Sequence, residues 1–291
     1  MLIVGDVIDD ILVRPLSPTT VDSDTVATIE RRPGGSAANQ AAWVGHFGGR
    51  VRFVGRVATQ DVERHRRELA RCGVEVFLAT DDERPTGTIV ILLGADGDRT
   101  MFTDRGANLG LCAADLPPDG LDGAALLHVN GYPLFEPTSR ALMLDLMAQA
   151  RASGIDVSVD PCSAAFLRGV GADDFLRWTA DAAVCFPNRD EGTVLTGFTD
   201  PHDIVGALSE HYGLVVLKLG ADGALVGNRR DVPFYAKAAS APVLDPTGTG
   251  DAFCGGFLAA WLEGATPAAA TLAGSSAAAL CLARTGARPR S

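Results

Sequence analysis

Two hydrophobic patterns alternate along this chain. Short, mainly apolar runs at 1–5, 126–130, 155–160, 182–186 and 214–219 have the length of buried strands. Between them, apolar residues recur every three or four positions, the period of a helix packed on one side. That period predicts helices over 36–47, 61–72, 138–152, from near Arg189, over 202–212, and from Thr266-Pro267 to about Arg284. Start and stop signals bound several of them. Ser36 is placed to cap the first and Gly48-Gly49 to end it, Gly73 stops the strongly charged second, and Pro267 sits at the first helical position of the last. Further strands are expected at 11–14, 50–57, 74–79, 86–93 and 99–103, the last two joined by a hairpin turn at Ala95-Asp96-Gly97-Asp98.

From about residue 120 onward strand and helix alternate, which gives right-handed βαβ units and a parallel sheet covered on both faces. The first third is richer in strands, and residues 15–33 alternate only weakly, as an edge hairpin or flap would. The expectation is a three-layer α/β/α fold with a mostly parallel central sheet. One domain would span 1–291, with a small β lid drawn from about 11–33 and 86–104.

Composition narrows the partners more than the fold. A chain of 291 residues buries roughly three quarters of its unfolded surface and needs no disulfide or metal to hold a core. Its formal net charge of −11 argues against nucleic acid or an anionic membrane as partner, though not against a nucleotide held by local donors. The six cysteines are scattered, without Cys-x-x-Cys or a Cys/His cluster at zinc spacing, as free thiols of a cytoplasmic protein would be. The N-terminus reads as a strand, not a signal peptide, and no apolar run is long enough to span a bilayer.

The candidate chemistry concentrates near the C-terminal end. An apolar run at 241–244 reaches Asp245-Pro246-Thr247-Gly248-Thr249-Gly250, and after Asp251 apolar residues recur at helical spacing until Gly264. The pattern reads as strand, glycine turn and helix. Glycines let such a turn present several backbone N–H groups together at a helix N-terminus, which is an anion site. Asp251 then either caps the helix or serves as a base for a hydroxyl lying beside a phosphate. Three other segments carry polar residues at strand ends or helix starts: Asp6 to Asp10, Gly34 to Asn39, and Asn188 to Glu191. Ligands of parallel sheets bind outside the carboxyl ends of the strands, so all four can converge on one crevice. The third glycine of a dinucleotide fingerprint, a P-loop and a Gly-x-Ser-x-Gly elbow are all missing from the sequence.

Over essentially its whole length the chain resembles the PfkB/ribokinase family of ATP-dependent carbohydrate and nucleoside kinases. Gly34-Gly35-Ser36-Ala37-Ala38-Asn39 and Asp245-Pro246-Thr247-Gly248-Thr249-Gly250-Asp251 carry the resemblance most specifically. Asp10, Thr86-Gly87-Thr88, Arg99-Thr100, Gly106-Ala107-Asn108, Pro187-Asn188-Arg189-Asp190-Glu191 and Leu219-Gly220-Ala221-Asp222-Gly223 support it in order and spacing. The resemblance implies a ribokinase-like fold and phosphotransfer from ATP to a hydroxyl of a small sugar. Asp251 would be the general base, and Gly248, Thr249 and Gly250 the anion hole. Asp10, Gly34, Gly35 and Asn39 would contact the acceptor. Asn188 and Glu191 would order Mg²⁺ through water, although the same spacing is that of a capping box. Gly220 and Gly223 would lie on the nucleotide side. The resemblance further implies a K⁺ site at Asp245 and Thr247 and a homodimer formed through the lid.

Two positions depart from the family pattern. Lys218 stands where Thr or Ser is usual, and either lies along the nucleotide phosphates or extends to solvent. Ser275 stands where relatives have Asn beside the adenine. Arg105 either points into the crevice, suiting a carboxylate or phosphate on the acceptor, or sits on the surface. Ile8 replaces a polar residue of ribose-specific relatives, so ribose does not follow. A ketose, pentose, keto-deoxy sugar acid or nucleoside all remain, with Trp43 and Phe102 as candidate stacking walls, although large apolar residues at such places are more often core. A sugar- or nucleotide-binding protein without catalysis is the reading from another class.

Overall fold

The computed structural model describes residues 1–19, 21–94 and 99–290, apart from the side chain of Arg99. The turn expected at 95–98 lies outside the described residues. Two sheets organise the described residues. The larger has nine strands. Its first strand in the chain, β1 (Leu2–Val4), is flanked on one side by β4 (Val51–Ala58) and β5 (Val74–Asp81). On the other side run β8 (Leu126–Asn130), β9 (Asp156–Asp160), β10 (Val184–Cys185) and β11 (Leu214–Lys218). These seven strands are parallel; β1, β8, β10 and β11 are apolar at most positions and buried almost throughout, as strands covered on both faces are, while the edge strand β5 carries exposed positions. Two antiparallel strands, β12 (Ala224–Gly227) and β13 (Phe234–Ala236), complete one edge. The sequence reading missed both, because each is too short to set up an alternation.

The second sheet contains β2 (Ile8–Pro15), β3 (Ala27–Gly34), β6 (Gly87–Leu93) and β7 (Arg99–Asp104), in the order β3-β2-β6-β7. The strand expected at 11–14 starts earlier: Asp9 and Asp10 belong to β2 itself, opposite Pro33 and Arg32 of β3. Pairing with a neighbouring strand satisfies the backbone there whatever the side-chain charge.

Ten helices accompany these strands among the described residues. They are α1 (Ser36–His46), α2 (Val62–Ala70), α3 (Tyr132–Phe135), α4 (Pro137–Ala152), α5 (Ala164–Val170), α6 (Ala172–Thr179), α7 (Arg189–Thr196), α8 (Pro201–Leu208), α9 (Thr249–Leu262) and α10 (Pro267–Leu282). The sequence reading left α3, α5 and α6 unassigned. One apolar layer packs the α4–α8 side of the large sheet, with Leu127, Val129, Met143, Phe175 and Leu217 at its centre. The other lies under α1, α9 and α10, around Ile3, Phe53, Phe186, Phe257 and Leu258. Trp43 is fully buried and donates through Nε1 to the Ala287 carbonyl at 2.8 Å, so it is a core residue and not a wall for a ligand.

The run at 241–244 is not a strand. Val243 and Leu244 are exposed, and the chain is tied instead to the end of α10 by the Leu244 amide on Leu282 O at 2.8 Å.

Candidate active site

Numbered along the large sheet, the strands run outward from β1 in both directions, so the order reverses between β1 and β8. Parallel strands on either side of such a reversal leave a crevice at their carboxyl ends. Asp6 follows β1, Asn130 ends β8, Asp160 ends β9, Asn188 follows β10 and Lys218 ends β11. Helices α1 and α9 bring their first turns to the same end.

The N-terminus of α1 is not capped by Ser36, which is the first helical residue; Gly35 holds the N-cap position. The cap comes from Asp6, whose carboxylate accepts from the amides of Ser36 at 3.2 Å and Ala37 at 3.0 Å. Ser36 is thereby free to reach across the crevice. Its Oγ donates to Asp251 Oδ1 at 2.5 Å, and Asn39 Nδ2 donates to Asp251 Oδ2 at 2.9 Å. Burial raises the Asp251 carboxyl to about 7, against the lowering effect of these two bonds, and the nearby charges of Asp160 and Asp6 raise it further. Part of the side chain stays open to the crevice. A carboxylate poised near neutrality, oriented by two donors and accessible from one side, can take a proton.

Asp251 occupies the first turn of α9, whose N-cap is Gly248 at φ 74°. A Cβ there would lie 2.3 Å from that of Ala287, so both the backbone angle and the close approach require glycine. The helical ladder begins with Ala252 N on Gly248 O at 2.8 Å, which leaves the amides of Gly250 and Asp251 ahead of it. The Thr249 amide differs from expectation. It is directed to Pro246 O at 3.3 Å, as is the Thr249 hydroxyl at 2.8 Å, so it is partly engaged within the turn.

Asp245 organises the same turn from below. It accepts from Thr247 N at 2.9 Å, Gly286 N at 3.0 Å and Arg32 Nη1 at 3.2 Å, and its pKa is lowered: burial alone would raise it, but these bonds prevail. A cleft of about 980 Å³ opens between this turn (Asp245, Pro246, Thr247) and the small sheet (Leu12, Arg14, Ile91); Asp251 lies outside it.

On the acceptor side, the acids divide their roles. Asp9 is paired with Arg64 at 2.7 and 2.8 Å and with Arg31; burial would raise its carboxyl, but His65 and these arginines hold it low. Asp10 is buried against Gly34, where any Cβ would fall 2.3 Å from its Oδ2. Burial raises Asp10 to about 7, opposed by Arg288 and reinforced by Asp6, Asp9 and Asp245. Arg105 is not a surface residue. Its guanidinium lies 4.6 Å from the centre of the Tyr132 ring and 3.7 Å from Asp6, with the side chain 12% exposed. Phe102 is exposed on β7.

On the other side, Lys218 neither lies free nor reaches solvent. Its Nζ sits 3.1 and 3.2 Å from the Asp160 carboxylate and 3.7 Å from Cys254 Sγ, and a Cβ on Gly250 would lie 3.9 Å from it. Burial would favour the neutral amine, but Asp160 keeps the proton on. Asn188 and Glu191 form a reciprocal capping box: Asn188 N to Glu191 Oε2 at 2.8 Å, Glu191 N to Asn188 Oδ1 at 2.9 Å, and the two side chains together at 2.7 Å. Burial raises Glu191 to about 7 despite Lys218. Gly220 and Gly223 bound the turn after β11, and Gly223 packs against Ala236 O of β13, so its small size serves sheet packing. Ser275 is buried in α10. No cluster of three His, Cys, Asp or Glu capable of holding a metal occurs among the described residues, and none of their helices is long and apolar enough to cross a membrane. All six cysteines are free thiols.

The sequence reading missed the centre of this network. Asp160 accepts from Gln40 Nε2 at 2.7 Å as well as from Lys218, and Gln40 Oε1 meets His128 at 3.0 Å. The only sequence signal was a strand ending in Asp160-Pro161. Arg288 was also missed. It donates to Asn39 Oδ1 at 3.1 Å and Gly34 O at 2.7 Å, so both ends of the Asn39 amide, expected to face the acceptor, are engaged within the protein.

The model of the pfkB family of carbohydrate kinases matches residues 1–291. Aminoimidazole riboside kinase of Salmonella typhimurium is 30% identical over 78% of this chain and 72% of that protein. The 2-dehydro-3-deoxygluconokinase of Bacillus subtilis is 29% identical over 82% of this chain and 77% of that protein. The fold of a putative ribokinase II from Escherichia coli, solved in complex with ATP and Mg²⁺, superposes with a TM-score of 0.87 at 20% identity, covering 98% of this chain and 93% of that one. The chain belongs to the pfkB family and is an ATP-dependent carbohydrate kinase acting on a sugar or nucleoside.

Proposed function

We propose that this pfkB-family kinase transfers the γ-phosphoryl group of ATP to a hydroxyl, in our reading a hydroxymethyl, of a small acidic sugar derivative, with Asp251 as general base. The acceptor oxygen attacks the γ-phosphorus while its proton passes to Asp251. The bond from γ-phosphorus to the bridging oxygen breaks and ADP leaves. The observation that carries the reading is Asp251 itself: a carboxylate near neutrality, held by Ser36 and Asn39, in the first turn of a glycine-opened helix. The amides ahead of the first ladder bond, at Gly250 and beside it, supply the anion hole, each donor stabilising the transition state by roughly 3 kcal/mol.

Arg105 supports an acidic acceptor. It is turned inward over Tyr132, and 3.7 Å from Asp6 it is too distant to be spent on that carboxylate alone. Asp10, beside Gly34 and Gly35, is then the partner of the acceptor hydroxyls. A nucleoside acceptor is the alternative reading, supported by the riboside kinase among the relatives.

Lys218 is placed to neutralise the nucleotide phosphates, with Asp160 as its resting partner. Gly220, Gly223 and Ser275 form the nucleotide side. Mg²⁺ fits Glu191 and Asn188 only through water, because both Glu191 oxygens already accept bonds within the capping box. Bound with the nucleotide, the ion would supply charge neutralisation between the phosphates. A K⁺ ion at Asp245 and Thr247 fits poorly, since Arg32 already provides the counter-charge. The small sheet acts as the lid of a single domain. Ile29, Met101 and Phe102, all exposed on it, support pairing of two lids in a homodimer. A cytoplasmic location agrees with the six free thiols.

The deciding experiment is an ADP-release screen with Mg²⁺-ATP across sugars, sugar acids and nucleosides. Turnover on sugar acids supports the reading. Saturable binding with no ADP from any acceptor would leave a binding protein instead.

A further inference from the structure

The segment after α10 returns to the site opposite its own helix. Ala287 packs against Gly248 and accepts from Trp43, which brings the next residue, Arg288, beneath the glycine loop that opens α1. Arg288 is 9% exposed. Its Nη2 donates to Gly34 O at 2.7 Å and its Nε to Asn39 Oδ1 at 3.1 Å. The remaining nitrogen, Nη1, has no hydrogen-bond partner and faces Glu68 at 3.8 Å.

An asparagine amide has one accepting and one donating end, and nothing in its shape tells them apart. Here the two neighbours do. A guanidinium can only donate, so it must face Oδ1; Nδ2 then points at Asp251 Oδ2, 2.9 Å away. Without Arg288 the flipped amide, with Oδ1 against the Asp251 carboxylate, loses its main penalty on the far side. We propose that Arg288 is a positioning residue of the phosphotransfer site. Through Gly34 O it fixes the acceptor loop, and through Asn39 it keeps a donor directed at the base. The role rests on the reading of Asp251 as base, but its physical consequence does not depend on turnover. A carboxylate that loses one of its directed donors becomes harder to ionise.

The groups facing Asp251 are Ser36, Asn39 and, at 3.5 Å, Gln40 of α1, Asp160 of β9, Asp6 after β1, Tyr132 of α3, Cys254 of α9 and Cys281 of α10; Arg288 makes no bond to it, and its hydrogen-bonded link to the carboxylate runs through Asn39. The test is therefore a double-mutant cycle read by titration. The Asp251 carboxyl carbon is followed by ¹³C NMR from pH 5 to 9 in the full chain without ligand, with Asp251→Asn identifying the signal. Arg288→Met should raise the Asp251 midpoint by about one pH unit, the worth of one charge-assisted hydrogen bond. In an Asn39→Leu background Arg288→Met should add little, because its route is already cut. A folded Arg288→Met protein with an unmoved midpoint overturns the proposal, as does an equal shift in both backgrounds, which would mean a through-space charge effect or a displacement of Ser36 through the Gly34 loop. Should Arg288→Met fail to fold, Arg288→Lys runs the same cycle. An ammonium cannot span Gly34 O and Asn39 Oδ1 as the planar fork does, so a smaller rise is expected, again only when Asn39 is present. Failure of the kinase reading would appear separately, as absence of ADP in the acceptor screen with these titrations intact.

Discussion

Lys218 and Asp160 form an ion pair at 3.1 Å at the ends of β11 and β9, with the lysine side chain 14% exposed and the aspartate 3%. Stranding one charge of such a buried pair costs about 3–5 kcal/mol. Asp160→Asn should therefore lower the unfolding free energy by roughly that amount in a denaturant titration. Lys218→Met should raise the KM for ATP on the order of tenfold or more if the ammonium also meets phosphate, the scale of one hydrogen bond to a charged group. An unchanged KM would confine Lys218 to a structural pair.

Asp251→Asn removes the base without changing its shape. We expect kcat to fall by about 10²–10⁴ with nucleotide binding intact, checked by steady-state kinetics and calorimetry. The same change should raise Tm at pH 8 by on the order of 2–4 °C, because a buried charge has been replaced by a neutral amide. Near-wild-type turnover would remove Asp251 from its assigned role.

Asp10, Glu191 and Asp251 are each raised by burial to about 7. A carboxyl whose folded pKa lies above its unfolded value binds its proton more tightly when folded. These three therefore favour the folded state increasingly as pH falls from above 7 towards 4. Asp81 acts in the opposite sense: backbone bonds from Arg84 and Glu83 and the Arg56 guanidinium hold it near 2, and the stability it contributes disappears as pH falls from 4 to 2. Thermal unfolding should show Tm rising from pH 8 to 5 and falling below about 4. The acid limb of kcat/KM should have its midpoint near 7, the value of the free-enzyme base.

Arg105→Ala should lower kcat/KM for sugar acids by about 10–100-fold and leave neutral sugars nearly unchanged. Equal losses on both classes would show that Arg105 supports the fold through Tyr132 and does not select the acceptor.

Arg32 donates to Asp245 at 3.2 Å, where the family resemblance implies a monovalent cation. Exchange of KCl for tetramethylammonium chloride at constant ionic strength should change the rate by less than about twofold, within the effect of exposed electrostatics. Arg32→Met should introduce a K⁺ requirement. Strong K⁺ activation of the unaltered protein would place the ion elsewhere on the loop.

The sequence by itself determined the alternation of buried strands with helices, because short, mainly apolar runs bounded by turn residues alternate with segments of helical period. It also marked the glycine turn and Asp251, since a carboxylate beside clustered backbone donors is chemically distinctive. What it could not decide was the partner of each polar residue. Asp6 became the cap of α1 in place of Ser36, Ser36 and Asn39 turned to Asp251, and Lys218 found Asp160. Each pairing joins residues from 30 to 215 positions apart. Side-chain chemistry restricts such a pairing to many candidates, and only the register of the sheet and the packing of α1 against α9 select one. Arg288 is the limiting case: an unremarkable arginine in a polar tail, given its two acceptors solely by where the chain returns.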